Sequence, residues 1–230
     1  MPKSAEPKDV PGAERYLPED RGLNSLEHAA SGCQGCTLYQ DATQTVFGHG
    51  KAEAPVMLVG EQPGDREDQE GQPFVGPAGR LLMRALADAG VDPALTYQTN
   101  AVKHFKFKRQ GKRRIHQKPG RTEVVACRPW LIAEIQALQP QLIVCLGATA
   151  AQSLLGSTFR VTAHRGERLR LPATLDVGVE AEPVVMATVH PSSLLRDQSD
   201  HRQENYESFV ADLRSAASAL PAMFRSDRHG

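Results

Sequence analysis

Three segments of the chain carry side chains able to do chemistry, in company that can form a pocket. The first is Gly60-Glu61-Gln62-Pro63-Gly64, followed by DREDQEGQPFVGPAGR. Gly60 and Gly64 permit tight turns and close backbone approach to a ligand. Glu61, Glu67 and Asp68 supply carboxylates that could act as a base or stabilise a cation. Phe74, in a Gly/Pro-rich loop, offers a face on which a flat ring could stack. No Gly-Lys-Ser/Thr follows, so this is not a phosphate-binding P-loop. Taken alone, the segment also reads as an ordinary strand-to-helix turn with solvated acids. The second segment is His190-Pro191-Ser192-Ser193, which continues to Arg196. Its imidazole could donate to negative charge on a leaving group, or it could be a structural histidine satisfied by backbone. The third is KHFKFKRQGKRRIHQKPGR, Lys103–Arg121. Between Ala101 and Thr122 lie nine Lys or Arg and no Asp or Glu. Two Phe interleaved with that charge suit a phosphate backbone and unstacked bases, although many such runs are only solvated loops. Lys108, Arg109, Lys112, Arg113 and Arg114 are the candidate phosphate contacts, joined by Ser192 and Arg196. His116 is the imidazole inside the basic core, where neighbouring cations should favour its neutral form.

The four cysteines form a second constellation: Cys33-x2-Cys36, then Cys127, then Cys145 after seventeen intervening residues. A C-x-x-C pair can clamp a metal from one turn, and four thiolates suit tetrahedral zinc or an iron–sulfur cluster. The spacing leaves zinc and iron–sulfur open. It also leaves open that Cys127 and Cys145 are small buried hydrophobes, since Cys145 sits inside an apolar run.

These residues need a scaffold, and the apolar pattern supplies one. Val56–Val59, Tyr97–Val102, Leu142–Leu146 and Val184–Val189 read as short buried strands. Helical faces separate them: Leu81 to Ala89, Trp130 to Leu138, and Tyr206 to Leu220. Leu23–Ala30 reads as a further, weaker helix, and Arg160–Leu171 as a small hairpin. Strands alternating with helices suggest a parallel α/β sheet, whose ligands bind at the carboxyl ends of the strands. There Glu61, Asn100, Gly147 and His190 would converge on one rim.

Composition sets the bounds. With 230 residues, 40% hydrophobic and 23% charged, the chain reads as one globular domain over 23–222. Residues 1–22 read as disordered and 223–230 as a flexible tail. No apolar run nears the roughly 20 residues that span a bilayer, and the first 22 residues lack the apolar stretch of a signal peptide. The expected location is therefore cytoplasmic, nucleoid-associated when bound to DNA, and no feature demands more than a monomer. The formal net charge of zero does not exclude a nucleic-acid binder, because phosphate binding depends on where charge lies.

Taken together, GEQPG, QPFVGPAGR, the Asn100 strand end, the cysteines, LGATAA and HPSSLLR resemble the family-four iron–sulfur uracil-DNA glycosylases, from about Cys33 to the last helix. The resemblance implies a three-layer α/β/α sandwich around a four-stranded parallel sheet. It also implies that Cys33, Cys36, Cys127 and Cys145 hold a structural [4Fe–4S] cluster. Two features depart from the family-four pattern: Gln62 stands where those enzymes have Ala, and the basic insertion 108–121, with KRRIH, has no counterpart. Both resemble the X-type (UdgX) class, in which the histidine of KRRIH becomes attached to the deoxyribose. That resemblance makes His116 the nucleophile and uracil-containing DNA, preferably single-stranded, the partner, with free uracil released. Phe74 would stack on uracil, Asn100 would read its N3–H and O4 edge, and His190 would face O2. Gly60, Gln62, Pro63 and Gly64 would line the pocket, and Glu61 or Asp68 would face the sugar cation. The alternatives are a turnover glycosylase with water as nucleophile and a non-enzymatic, zinc-containing nucleic-acid binder.

Overall fold

A computed structural model describes residues 10–175 and 177–220. Its strands are β1 (Val56–Gly60), β2 (Thr96–Asn100), β3 (Phe107–Gln110), β4 (Arg113–His116), β5 (Leu142–Leu146) and β6 (Val184–Thr188). Its helices are α1 (Leu23–Ala30), α2 (Asp65–Glu70), α3 (Pro77–Ala89), α4 (Arg121–Leu138), α5 (Ala148–Leu155), α6 (Val161–His164), α7 (Pro191–Arg196) and α8 (Arg202–Ala217). Four strands form one parallel sheet in the order β2-β1-β5-β6.

Every residue of β1 and β5 is buried, as two-sided coverage of a parallel sheet requires. Alternate side chains enter opposite cores. Val56, Leu58, Leu142, Val144 and Met186 pack with α3 and α8. Met57, Val59, Ile143, Cys145 and Val185 pack with Leu131 and Ile135 of α4 and with α5. The three-layer α/β/α expectation is borne out. A third core, against α1, gathers Leu26, Cys33, Cys36, Cys127 and Trp130.

The structure differs from the sequence expectations in three places. Residues 10–22 are not loose: Ala13 is 1% exposed, its N–H donates to the Ala126 carbonyl, and Gly12 N–H donates to the Gly35 carbonyl. Residues 1–9 and the tail 223–230 lie outside the described residues, as do 221–222 at the end of the expected domain. Arg160–Leu171 is no hairpin. It forms α6, and Leu169 then exchanges both backbone hydrogen bonds with Val185 of β6. The basic segment is not a loop, because β3 and β4 pair antiparallel across Gly111-Lys112, with Gly111 at φ 59°. A positive φ at a two-residue turn suits the twist of a hairpin. Among the described residues, no helix is long and apolar enough to cross a membrane.

A buried ion pair fastens β2 to α4. Lys103 and Glu134 have side chains 1% and 0% exposed, with Nζ 2.5 Å from Oε2. Lys103 also donates to Thr99 Oγ1 at 2.6 Å and the Asn100 carbonyl at 2.8 Å. Glu134 accepts from Gly48 N–H, Tyr97 Oη and Thr99 Oγ1. Each charge is thus paired and further hydrogen-bonded, the condition under which burial is tolerated.

Candidate active site

The carboxyl ends of the four parallel strands open onto a cavity of about 580 Å³, lined by Phe74, Asn100, Glu61, His116 and His190 among others. Gly60 stands between the first two. A β-carbon there would collide with Asn100 Oδ1 and lie 2.8 Å from Phe74 Cζ. Only glycine therefore leaves both side chains in place. Phe74 has φ 58°, a conformation costly for a bulky residue and found mainly at sites that need it. Gly79 makes that conformation possible, since a β-carbon there would strike the Phe74 carbonyl.

The proton on His190 can be assigned. Its Nδ1 accepts the Ser192 backbone N–H at 3.1 Å, so the neutral ring carries its hydrogen on Nε2. Burial, with Arg196 and His116 adding to it, pushes its pKa down to about 4. His190 is thus a neutral donor. Gly147, at φ 90°, gives it room, as a β-carbon there would lie 3.0 Å from His190 Cβ.

His116 ends β4 at the cavity edge, its side chain half exposed, with Nε2 3.5 Å from Glu61 Oε1. Its pKa is lowered, chiefly by burial and less by Arg196, while Glu61 opposes the shift. The neutral form was expected from the cations of the basic segment, but burial is the larger cause. The other Glu61 oxygen accepts from Thr149 Oγ1. Glu61 thus follows β1 and Thr149 follows β5, so they meet across the crevice where the strand order reverses, the usual ligand position in such sheets.

Several expected site residues do other work. Asp68 is fully buried, outside the cavity lining. Its carboxylate accepts Thr43 N–H at 3.0 Å and pairs with Arg114 Nη1 at 2.5 Å. Asp68 is therefore corrected from a catalytic to a structural acid. Arg114 is corrected with it. Its guanidinium also pairs with Asp65 at 2.5 Å and lies over the Phe105 and Phe107 rings at 5.5 and 5.1 Å. It latches the hairpin to α2 rather than reaching toward phosphate. Gln62 borders the cavity, yet its amide ties both ends of the hairpin. Its Nε2 donates to the Lys106 and Gln117 carbonyls at 3.2 and 3.1 Å, and its Oε1 accepts Lys106 N–H at 3.1 Å. Pro63 is buried and does not line the cavity. Ser192 lines it with N–H and hydroxyl both turned to His190 Nδ1. Lys108, Arg109, Lys112 and Arg113 are exposed on the hairpin, and Arg196 is exposed on the cavity rim.

The Arg114→Gln variant leaves Asp68 buried without its cation. It is expected to lose about 1.5–3 kcal/mol of local stability, the worth of a charged hydrogen bond. Limited trypsin digestion should then cut the hairpin at Lys108–Arg113 several-fold faster than in the wild type. An unchanged digestion rate would exclude the latch.

Residues 47–214 match the uracil DNA glycosylase superfamily. The chain belongs to that superfamily. Among its relatives, it is 35% identical to a type-4 uracil-DNA glycosylase of Pyrobaculum aerophilum over 179 residues, 76% of this chain and 85% of the relative. It is 35% identical to a type-4 uracil-DNA glycosylase of Thermotoga maritima over 73% of this chain and 80% of the relative.

For this superfamily member, the expected four-thiolate set is not assembled. Cys33, Cys36 and Cys127 share the core against α1. Their sulfurs are met by N–H donors: Trp130 Nε1 to Cys33 at 3.2 Å, Gly35 N to Cys33 at 3.5 Å and Lys103 N to Cys127 at 3.3 Å. Cys145 sits in the other core, beneath α4 and α5. Burial alone raises its thiol to about 12, whereas Cys127 also feels the charges of Cys36 and Cys33. Strand alternation gives the reason, since Cys145 shares the face of Ile143 and pairs in register with Val59 and Ala187. Among the described residues, no three His, Cys, Asp or Glu side chains are gathered as a metal site. The four-cysteine cluster therefore does not fit these residues as they stand, and no step is assigned to it. Cys145→Ala is expected to keep whatever iron or zinc the purified protein carries, because Cys145 lies in the other core. Elemental analysis of that variant checks this.

The sequence assigns no role of their own to Thr149, in the segment expected at the β5 strand end, or to Lys118, in the basic segment; Lys118 lines the cavity and Thr149 supports it through Glu61. Glu67, noted only as one of several acids, accepts the Gly76 N–H at 2.8 Å and so ties α2 to the start of α3.

Proposed function

We propose that this protein excises uracil from DNA and keeps the DNA bound through His116. The observation that supports this reading most is the shared cavity. Phe74, Asn100 and His190 can hold and activate a pyrimidine there, while a neutral His116 waits beside Glu61. A base inside a duplex is out of reach, so single-stranded DNA, or a flipped nucleotide, is the substrate. The uracil ring stacks on Phe74. The Asn100 amide offers an acceptor to N3–H and a donor to O4; cytosine presents the opposite pattern and is rejected. As the C1′–N1 bond breaks, its electron pair leaves with uracil, and the His190 Nε2–H donates to O2. Uracil then takes a proton from solvent. The sugar is left cationic at C1′, facing the Glu61 carboxylate.

The lone pair of the unprotonated His116 nitrogen forms a new bond to C1′. The proton on its other nitrogen passes to Glu61 or water, leaving a neutral N-substituted imidazole. Proximity lets imidazole capture the cation before water does. Lys108, Arg109, Lys112, Arg113 and Arg196 are the proposed phosphate contacts. We also propose Cys33, Cys36 and Cys127 as the residues that would carry any thiolate-bound metal or cluster, with a structural role.

The test uses wild-type protein and a uracil-containing single-stranded oligonucleotide. One uracil released per protein, with a DNA–protein band that survives hot SDS, is the expected result. Many uracils per protein with free abasic product would replace capture by the turnover reading. Intact oligonucleotide would overturn excision itself.

A further inference from the structure

Thr149 is 4% exposed and does not itself line the cavity. It is the second residue of α5, a helix whose N-cap, Gly147, offers no side-chain cap. A hydroxyl near such a start could accept a backbone N–H of its own helix. Here it instead donates across the sheet to Glu61 Oε2, 88 positions away in sequence. The two Glu61 oxygens are thereby divided: Oε2 is held by Thr149, and Oε1 is turned toward His116 Nε2 at 3.5 Å. A glutamate side chain has several rotatable bonds and is otherwise free to swing, and Glu61 is still 21% exposed. A buried hydroxyl fixed on a helix start is the rigid member of this chain.

We propose that Thr149 is a positioning residue: by holding Glu61 against His116, it decides how often the sugar cation is captured by the protein rather than by water. This rests on the proposed glycosylase reading and deepens it. The order nucleophile, orienting carboxylate, anchoring hydroxyl follows the general logic of an activated nucleophile held by a third group. Displacement of a reacting group by about 1 Å can cost roughly 10²-fold in rate. Glu61 released from its anchor also opens room for water beside C1′.

The experiment compares wild type with Thr149→Val, which keeps the volume and removes the hydroxyl, and with Thr149→Ser, which keeps the hydroxyl. Each is mixed in excess with a uracil-containing single-stranded oligonucleotide. Released uracil and the SDS-stable fraction are followed together, with thermal melting to confirm folding. Thr149→Val is expected to shift the partition, with adduct forming roughly 10²-fold more slowly while uracil release falls less and free abasic DNA appears. Thr149→Ser should stay within a few-fold of wild type. A hydroxyl needed only for folding would lower both readouts together and leave the partition unchanged. Adduct at the wild-type rate and partition in Thr149→Val would also overturn the proposal. If wild type itself releases uracil without any adduct, the capture reading fails. Thr149 is then judged by uracil release against Glu61→Gln. Slowing by the two variants to the same degree upholds the anchoring of Glu61, and unchanged release in Thr149→Val overturns it.

Discussion

His116→Ser is expected to abolish the SDS-resistant DNA–protein band while uracil is still released. The separation follows from which atoms each histidine can reach. In the proposed reaction, cleavage of the C1′–N1 bond leans on His190 and Asn100, which line the cavity at the carboxyl ends of β6 and β2, while His116 affects His190 only by adding to the lowering of its pKa. Capture needs a lone pair at C1′ in neutral solution. Serine lacks one of comparable strength, because its hydroxyl stays protonated, and its side chain is shorter by about two bonds. Water fills the vacated space beside Glu61, and the protein should begin to turn over. The adduct should fall at least roughly 10²-fold. Loss of uracil release in parallel with the adduct would instead make His116 part of the cleavage step.

Acid titration of the wild type supplies a second measure of the same separation. Protonation removes the His116 lone pair, so capture is present above its pKa and lost below it. Burial holds that pKa under the ordinary histidine value, so capture should persist at neutral pH and fade in mild acid. His190 stays a neutral donor until about pH 4. Where acid has protonated His116 while His190 is still neutral, the wild type should behave like His116→Ser, excising without capturing.

The second large effect is on stability. Lys103→Met leaves Glu134 in the core with its hydroxyl and N–H partners but no cation. Breaking a buried pair by removing one member costs about 3–5 kcal/mol, which for a chain of this size corresponds to a fall in Tm of roughly 6–20 °C. The double variant Lys103→Met/Glu134→Leu removes both charges but takes the acceptor from Gly48 N–H, Tyr97 Oη and Thr99 Oγ1, so it should recover only part of that loss. It does not restore the hydrogen bond from Lys103 Nζ to the Asn100 carbonyl. The recovered protein should therefore still release uracil more slowly than wild type. Calorimetry and the uracil assay together check both halves, and an unchanged Tm in Lys103→Met would dismiss the pair as a contributor.

Much of this is legible in the sequence. Strands β1, β5 and β6 stand out because they are apolar runs, as parallel strands covered on both sides are; β2, the polar TYQTN at the sheet edge, shows itself less clearly. Helices α1, α3, α4 and α8 show their faces. The rim of Glu61, Asn100 and His190 follows from strand ends alone. The hairpin was hidden for a physical reason. Phe107, Arg109, Arg114 and His116 share one of its faces, and that face is built from guanidinium groups over rings, so no alternation of apolar and polar residues betrays it. Gly111 was its one local signal. Asp68 misled because α2 places carboxylates on several sides. Asp65 and Asp68, three apart, turn together toward Arg114, while Glu67 turns toward Gly64 and Gly76. Cys145 misled because spacing counts residues without regard to which side of a strand they occupy. Gln62 and the basic insertion looked like two separate departures from the family-four pattern. They are one, since the Gln62 amide closes the base of the hairpin.

The pairing of the basic segment has a consequence for how the protein meets a polyanion. Of its nine cations, Lys103, Lys106 and Arg114 are paired with Glu134, Glu123 and the two α2 aspartates. Among the described residues, no carboxylate lies within 4 Å of the other six. At most six condensed counterions can therefore be displaced from a single strand by this segment. That corresponds to a slope of log affinity against log salt no steeper than roughly −4. Such a grip is loose enough for the protein to leave one stretch of DNA and try another. Residence at a uracil would then come from a chemical bond, where the search itself runs on a weak, salt-sensitive attraction.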